Sequence, residues 1–147
     1  MSLTSLGDVG SSGPLAALGH RAVRSVALLG LCAAYLQGGI DKAIDFPSAV
    51  AEMRHFGLSP AAPLAAAVIA LELLASIAIV VGFQRWIASL ALAAFTLAAT
   101  FTANRFWELA PPDRFMAANS FFEHLGLVGG FVLVVWMDVR EREIEWR

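Results

Sequence analysis

Four stretches of mostly apolar residues, each close to the length that crosses a bilayer, constrain this chain more than any other feature. A spanning helix needs about 20 such residues, and the stretches run roughly over 23–40, 61–82, 86–103 and 118–137. A β-barrel would need short segments of strict apolar–polar alternation, whereas Ala and Leu dominate here without alternating. The chain is 59% hydrophobic and 15% charged, and a soluble helical bundle would need polar faces recurring along every helix, which long stretches lack. The expected fold is therefore all-α: an integral membrane four-helix bundle with a short interfacial helix between spans 1 and 2. Gly82 to Arg85 joins the second and third spans so tightly that these must be antiparallel neighbours.

Around the spans the chain divides into a flexible N-terminal arm over residues 1–19, a four-helix transmembrane domain over 20–138 and a charged C-terminal tail over 139–147. The tail reads as a solvated helical extension, or as a place for a partner to dock. The first span is expected to be retained, because the large Leu31 before Cys32 does not fit a lipoprotein processing site. Arg21, Arg24, Arg85, Arg140, Arg142 and Arg147 lie on one side of the spans; Lys42, Arg54, Arg105 and Arg114 lie on the other. That bias places both termini in the cytoplasm, and Trp86, Trp107 and Trp136 fall at helix ends as an aromatic belt would. The formal net charge of −2 offers no basic surface for a phosphate backbone, so no nucleic acid partner is expected. The single cysteine, Cys32, excludes an intrachain disulfide and an internal CxxC couple.

Between the first two spans, Asp45 can cap a short helix on which Phe46, Val50, Met53 and Phe56 recur at helical spacing. Gly57 can end it, and Pro60 can start the next span. The expectation is a plain amphipathic connector lying on the outer surface. Small residues at four-residue intervals, Gly30, Ala34 and Gly38 on the first span and Gly126 and Gly130 on the fourth, are expected to let helix backbones approach closely.

Glu72 is the sharpest signal. It lies near the middle of the second span, about 18 Å of helix from Pro60, where an ionised group costs several kcal/mol unless paired, hydrated or protonated. It is either a functional acid or a protonated residue hydrogen-bonded between helices. Further polar groups occupy the same half of the membrane. Gln37 and Asp41 share a face of the first span with Lys42 at its end; Asn104 and Arg105 close the third; Asn119 and Glu123 share a face of the fourth, followed by His124. The opposite halves of the spans read as almost purely apolar. This asymmetry predicts a polar cavity reached from the non-cytoplasmic side, with Lys42 and Arg105 countering Glu72 and Glu123. Such a bracket suits a proton relay or a polar head group such as a quinone carbonyl, and equally a salt-bridge network that only locks the bundle. Nine residues thus form the candidate ligand or proton-relay set: Gln37, Asp41, Lys42, Glu72, Asn104, Arg105, Asn119, Glu123 and His124. No haem or metal is expected, because His20, His55 and His124 offer no facing pair and there is no HExxH or Cys/His cluster.

Several short motifs carry a resemblance. Gly38-Gly39-Ile40-Asp41-Lys42 ends the first span, and Phe56-Gly57-Leu58-Ser59-Pro60 precedes the second. Leu71-Glu72-Leu73-Leu74 within it runs on to Val81-Gly82-Phe83-Gln84-Arg85, and Asn119 with Glu123 opens the fourth. Over about residues 22–137 the chain resembles the DoxX-like family of small four-helix membrane proteins. The resemblance implies a multi-pass protein of a bacterial or archaeal plasma membrane tied to redox chemistry, since the family includes a subunit of thiosulfate:quinone oxidoreductase and proteins implicated in thiol systems. The lack of a cysteine pair departs from the related thiol-relay bundles. Besides the lipid bilayer, the expected partners are a quinone or lipid-like ligand and partner subunits of a membrane complex. The two leading functions are a quinone-linked accessory and a non-catalytic structural or assembly subunit; small-solute transport is a third.

Overall fold

The structure, a computed structural model, describes residues 14–145. Its helices are α1 (Pro14–Ile44), α2 (Phe46–His55), α3 (Ala61–Val81), α4 (Arg85–Ala103) and α5 (Asp113–Glu145), with a 3-10 turn at Phe106–Glu108 between the last two. Four of them are long and apolar enough to cross a membrane. Most of the expected N-terminal arm, residues 1–13, lies outside the described residues, and α1 already runs from Pro14.

Local chemistry sets the boundaries. The Asp45 carboxylate accepts a bond from Ser48 N at 3.1 Å, capping α2. Gly82 closes α3 at φ +88°, a left-handed conformation that side chains resist, and its N–H bonds Ala78 O at 2.9 Å. α1 and α5 overrun the apolar stretches that announced them because their charges are neutralised within the fold. Lys42, near the end of α1, pairs with Glu72. Asp138, 5% exposed on α5, holds Arg85 Nη1 at 3.4 Å and Arg142 Nε at 3.0 Å. The charged tail continues α5 to Glu145, and its Glu141 takes a two-pronged bond from Arg24 of α1 at 2.8 and 2.9 Å.

The spans follow one another round the bundle as α1, α3, α4 and α5, with the broadest contact between α4 and α5 and the narrowest between α1 and α5. The core gathers Leu28, Cys32 and Tyr35 of α1, Ala75 and Ile79 of α3, Leu92 and Ala93 of α4, and Phe131 of α5. Tyr35 meets Phe131 edge-on, ring centres 5.4 Å apart. α3 is apolar nearly all round, so its two polar side chains, Glu72 and Ser76, both point inward, while Leu74, Ile77 and Val81 on its outer face are exposed to lipid. We call the end that carries α2 and the 3-10 turn the loop end, and the end that carries the α3–α4 connection the hairpin end.

Two expectations change. α2 does not merely lie at the surface: Ala49, Val50 and Met53 pack against Ala65 of α3, a second small core at the loop end. Of the small-residue stripe, Gly30 and Gly126 face open space, whereas the close approaches occur at Gly39, against Leu73, and Gly130, against Leu31. A methyl group on Gly39 would sit 2.8 Å from Leu73 Cδ2 and 3.3 Å from Glu72 Cβ, inside contact distance. Gly39→Ala is therefore expected to destabilise the bundle by about 1–3 kcal/mol, and Gly126→Ala to be neutral or mildly stabilising; thermal unfolding of both variants in detergent checks the contrast.

Candidate functional site

A cavity of about 440 Å³ lies among the helices at the loop end. Its floor is polar. Lys42 Nζ donates to both oxygens of Glu72, at 2.9 and 3.1 Å, and the two side chains are 23% and 6% exposed. Beside them the Tyr35 hydroxyl and Thr96 Oγ1 are 2.5 Å apart. Apolar walls come from Val68 of α3, Phe95 and Ala99 of α4, and Leu127 of α5. Met53 of α2 and Phe56 at its C-cap stand on the loop-end side, so the helix expected to be a plain connector lines the site. Glu52 reaches the cavity from the same helix and adds a carboxylate with no ion-pair partner among the described residues.

Counting protons defines what this lining offers. Thr96 spends its hydroxyl proton on Leu92 O at 2.6 Å, so the Tyr35 hydroxyl must donate to Thr96, and its own oxygen is left as an acceptor. Thr102 likewise donates to Ala98 O at 2.8 Å. Asn104 Nδ2 donates to Ser120 Oγ at 3.3 Å and lies 2.8 Å from His124 Nδ1. An amide nitrogen only donates, so Nδ1 accepts and the neutral ring carries its proton on Nε2. The free donors are thus the third Lys42 N–H and His124 Nε2–H; the free acceptors are Glu52, Tyr35 Oη and Asn104 Oδ1. A ligand with a polar head and an apolar body matches this distribution.

Of the nine residues singled out from the sequence, the structure gathers Lys42, Glu72, Asn104 and His124 round this cavity. The other five lie elsewhere. Gln37 bonds Asp41 one turn along α1, and both are exposed. Asn119 and Glu123 are exposed on α5. Arg105 does not counter Glu123: the chain leaves the helix at Asn104, and Arg105 pairs instead with Glu108 across the 3-10 turn at 3.2 Å. That turn is seated by aromatic rings, Phe106 and Phe101 each meeting Phe121 edge-on at 5.4 Å. Among the described residues, no group of three or more His, Cys, Asp or Glu side chains could hold a metal.

Sequence reasoning missed Tyr35, Thr96 and Glu52. A signal existed for the first, because Tyr35 is the only tyrosine and precedes Lys42 by two helical turns, which places both on one face. The second half of the polarity forecast also needs correction. The hairpin-end half of the bundle is not purely apolar, since it buries Ser76, Ser89 and Asp138.

Four apolar spans round a polar-floored cavity, closed at one side by an amphipathic helix, define a small integral membrane protein of the four-helix type. The DoxX family model matches residues 25–105, more than half of the chain, and the protein belongs to the DoxX family. The match runs from Ser25, within α1, past the end of α4 and includes both Lys42 and Glu72. No curated protein and no solved structure matches the chain.

Proposed function

We propose that this DoxX protein is a quinone-linked redox accessory of a bacterial or archaeal plasma membrane, with both termini in the cytoplasm and the cavity facing the other side. The observation that carries the reading is the part-buried Lys42–Glu72 pair in the floor of a largely apolar cavity of about 440 Å³. A quinone presents two carbonyl acceptors on an apolar body, and the cavity has two free donors, Lys42 and His124. Glu72 and Glu52 stand by as proton acceptors when the reduced head group must lose its protons. The driving force for entry is transfer of the ring and tail from lipid into a cavity with matching polar groups, so the hydrogen bonds set orientation and specificity.

A quinone titration in nanodiscs tests it. Wild type is expected to bind, Lys42→Ala to bind about tenfold more weakly through loss of a charged hydrogen bond, and Gln37→Ala, outside the cavity, to bind as wild type. Equal affinity in wild type and Lys42→Ala would reject the site. The other reading, a non-catalytic assembly subunit, is favoured by the exposed polar residues Asn119 and Glu123 on α5; it calls for a fixed partner in gentle solubilisation and no quinone binding.

A further inference from the structure

Helices α1 and α5 meet in a seam that is closed over its hairpin-end half and open beyond it. Near the hairpin end, Arg24 of α1 bonds Glu141 of α5 at 2.8 and 2.9 Å. Further along, Leu31 lies so near Gly130 that a methyl group on that glycine would sit 2.9 Å from Leu31 Cδ1. Arg24, Leu31 and Gly38 follow one another at seven-residue intervals, two turns each, and so share one face of α1. Counting seven residues back from Gly130 on the antiparallel α5 reaches Glu123, which a continued seam would set against Gly38. The helices do not close there. A methyl group on Gly38 would meet Lys42 Nζ at 3.6 Å and Glu72 Oε2 at 3.9 Å, but no atom of α5 within 4 Å, and Glu123 is exposed.

The gap leads into the cavity. Ala34, Gly38 and Lys42 on its α1 side and His124 and Leu127 on its α5 side all line that space, and Tyr35 against Phe131 marks where the gap stops. Gly38 lies six residues inside the end of α1 at Ile44, about 9 Å of helix, so the gap reaches into the span. Its outer flank is apolar: Phe122 and Leu133, three turns apart on one face of α5, are 62% and 61% exposed. We propose that this gap is a lateral entrance from the bilayer, through which the cavity takes a membrane-dissolved amphiphile. The polar head passes Gly38 to reach the Lys42–Glu72 pair, and the apolar tail stays in the gap and the surrounding lipid. Gly38 is the sill of the entrance, because a larger side chain there would stand directly over the ion pair. The head must bring hydrogen-bond acceptors for the third Lys42 N–H and for His124 Nε2–H. The tail needs no room of its own, so its length is not limited by the 440 Å³ of the cavity. The entrance rests on the reading of the cavity as a ligand site and not on the head being a quinone, so quinone binding can fail while the entrance stands.

Two measurements on the full chain in nanodiscs decide it. A phospholipid with a diazirine on its acyl chain, photolysed and mapped by mass spectrometry, is expected to label Leu127 inside the gap and to leave Phe131, where the seam is closed, unlabelled. Glu123→Trp places bulk at an exposed position beside the gap; it is expected to leave thermal unfolding unchanged and to cut the lipid label at Leu127 several-fold. Ubiquinone with a decyl tail is expected to enter this variant about tenfold more slowly than wild type, since access and not the site itself is altered. Leu127 reached only by a water-soluble diazirine, or labelled by lipid equally in Glu123→Trp, overturns the entrance, and so does an undiminished rate of quinone entry in the variant. A wild type that binds no quinone but carries the lipid label at Leu127, lost in Glu123→Trp, rejects the quinone and upholds the entrance.

Discussion

Glu72→Ala is expected to destabilise the bundle by about 3–5 kcal/mol, because it strands the Lys42 ammonium in a largely buried position with its partner removed. Lys42 Nζ bonds both carboxylate oxygens, and the acid is 6% exposed, so its removal takes away both of the ammonium's charged hydrogen bonds at once. Glu72→Gln should cost nearly as much, since the amide keeps the shape but not the charge that offsets desolvation of Lys42. The double variant Glu72→Gln/Lys42→Met removes both charges and should recover most of the loss. Thermal unfolding in detergent of the four proteins checks the series, and a glutamine variant as stable as wild type would show that Glu72 is a protonated bridge between helices rather than half of an ion pair.

A comparable loss is expected at the hairpin end for Asp138→Ala. This carboxylate is 5% exposed and joins Arg85, whose side chain is 15% exposed, to Arg142 on its own helix. Arg85 also donates its Nε–H to Ile79 O at 2.9 Å, so it is fixed at the α3–α4 connection and cannot swing into solvent when Asp138 is gone. The expected cost is about 3 kcal/mol, most of it the uncompensated Arg85 charge. Arg24→Ala, which breaks the exposed two-pronged pair with Glu141, should cost no more than about 1 kcal/mol. Unfolding by a harsh detergent titrated against a mild one separates the two; equal losses would mean that the burial of Asp138 carries no weight.

The sequence was informative where chemistry is local and misleading where it depends on where the chain goes next. Span positions follow from hydropathy, and the bounds of α3 and α4 lie within a residue of the apolar stretches because α3 carries one acid, at mid-span, and α4 one cation, at its start. The true ends of α1 and α5 were hidden, since Lys42 and Asp138 look like stop signals until their partners on other helices are known. The Lys42–Glu72 pair was legible because a lone mid-span acid requires a cation and few are within reach. Arg105 was not, because it sits where the helix ends, and the backbone turns it toward Glu108 instead of Glu123. Hydroxyls were the least legible: Tyr35, Thr96, Ser76 and Ser89 sit in apolar runs where a hydroxyl barely changes hydropathy, and only their packing distinguishes bonded from unbonded ones.

α2 is ten residues long, and Met53 on it and Phe56 at its C-cap line the loop-end side of the cavity while Ser48, Arg54 and His55 on it are exposed. This short helix is thus one part of the partition between an interior space and the aqueous surface, with Leu58 and Asn104 beside it. It is held to the bundle by Ala49, Val50 and Met53 packed on Ala65 of α3, with Leu64, Val68 and Ile69 around them. A molecule that fills the cavity and a molecule at the loop-end surface therefore meet opposite faces of the same short segment.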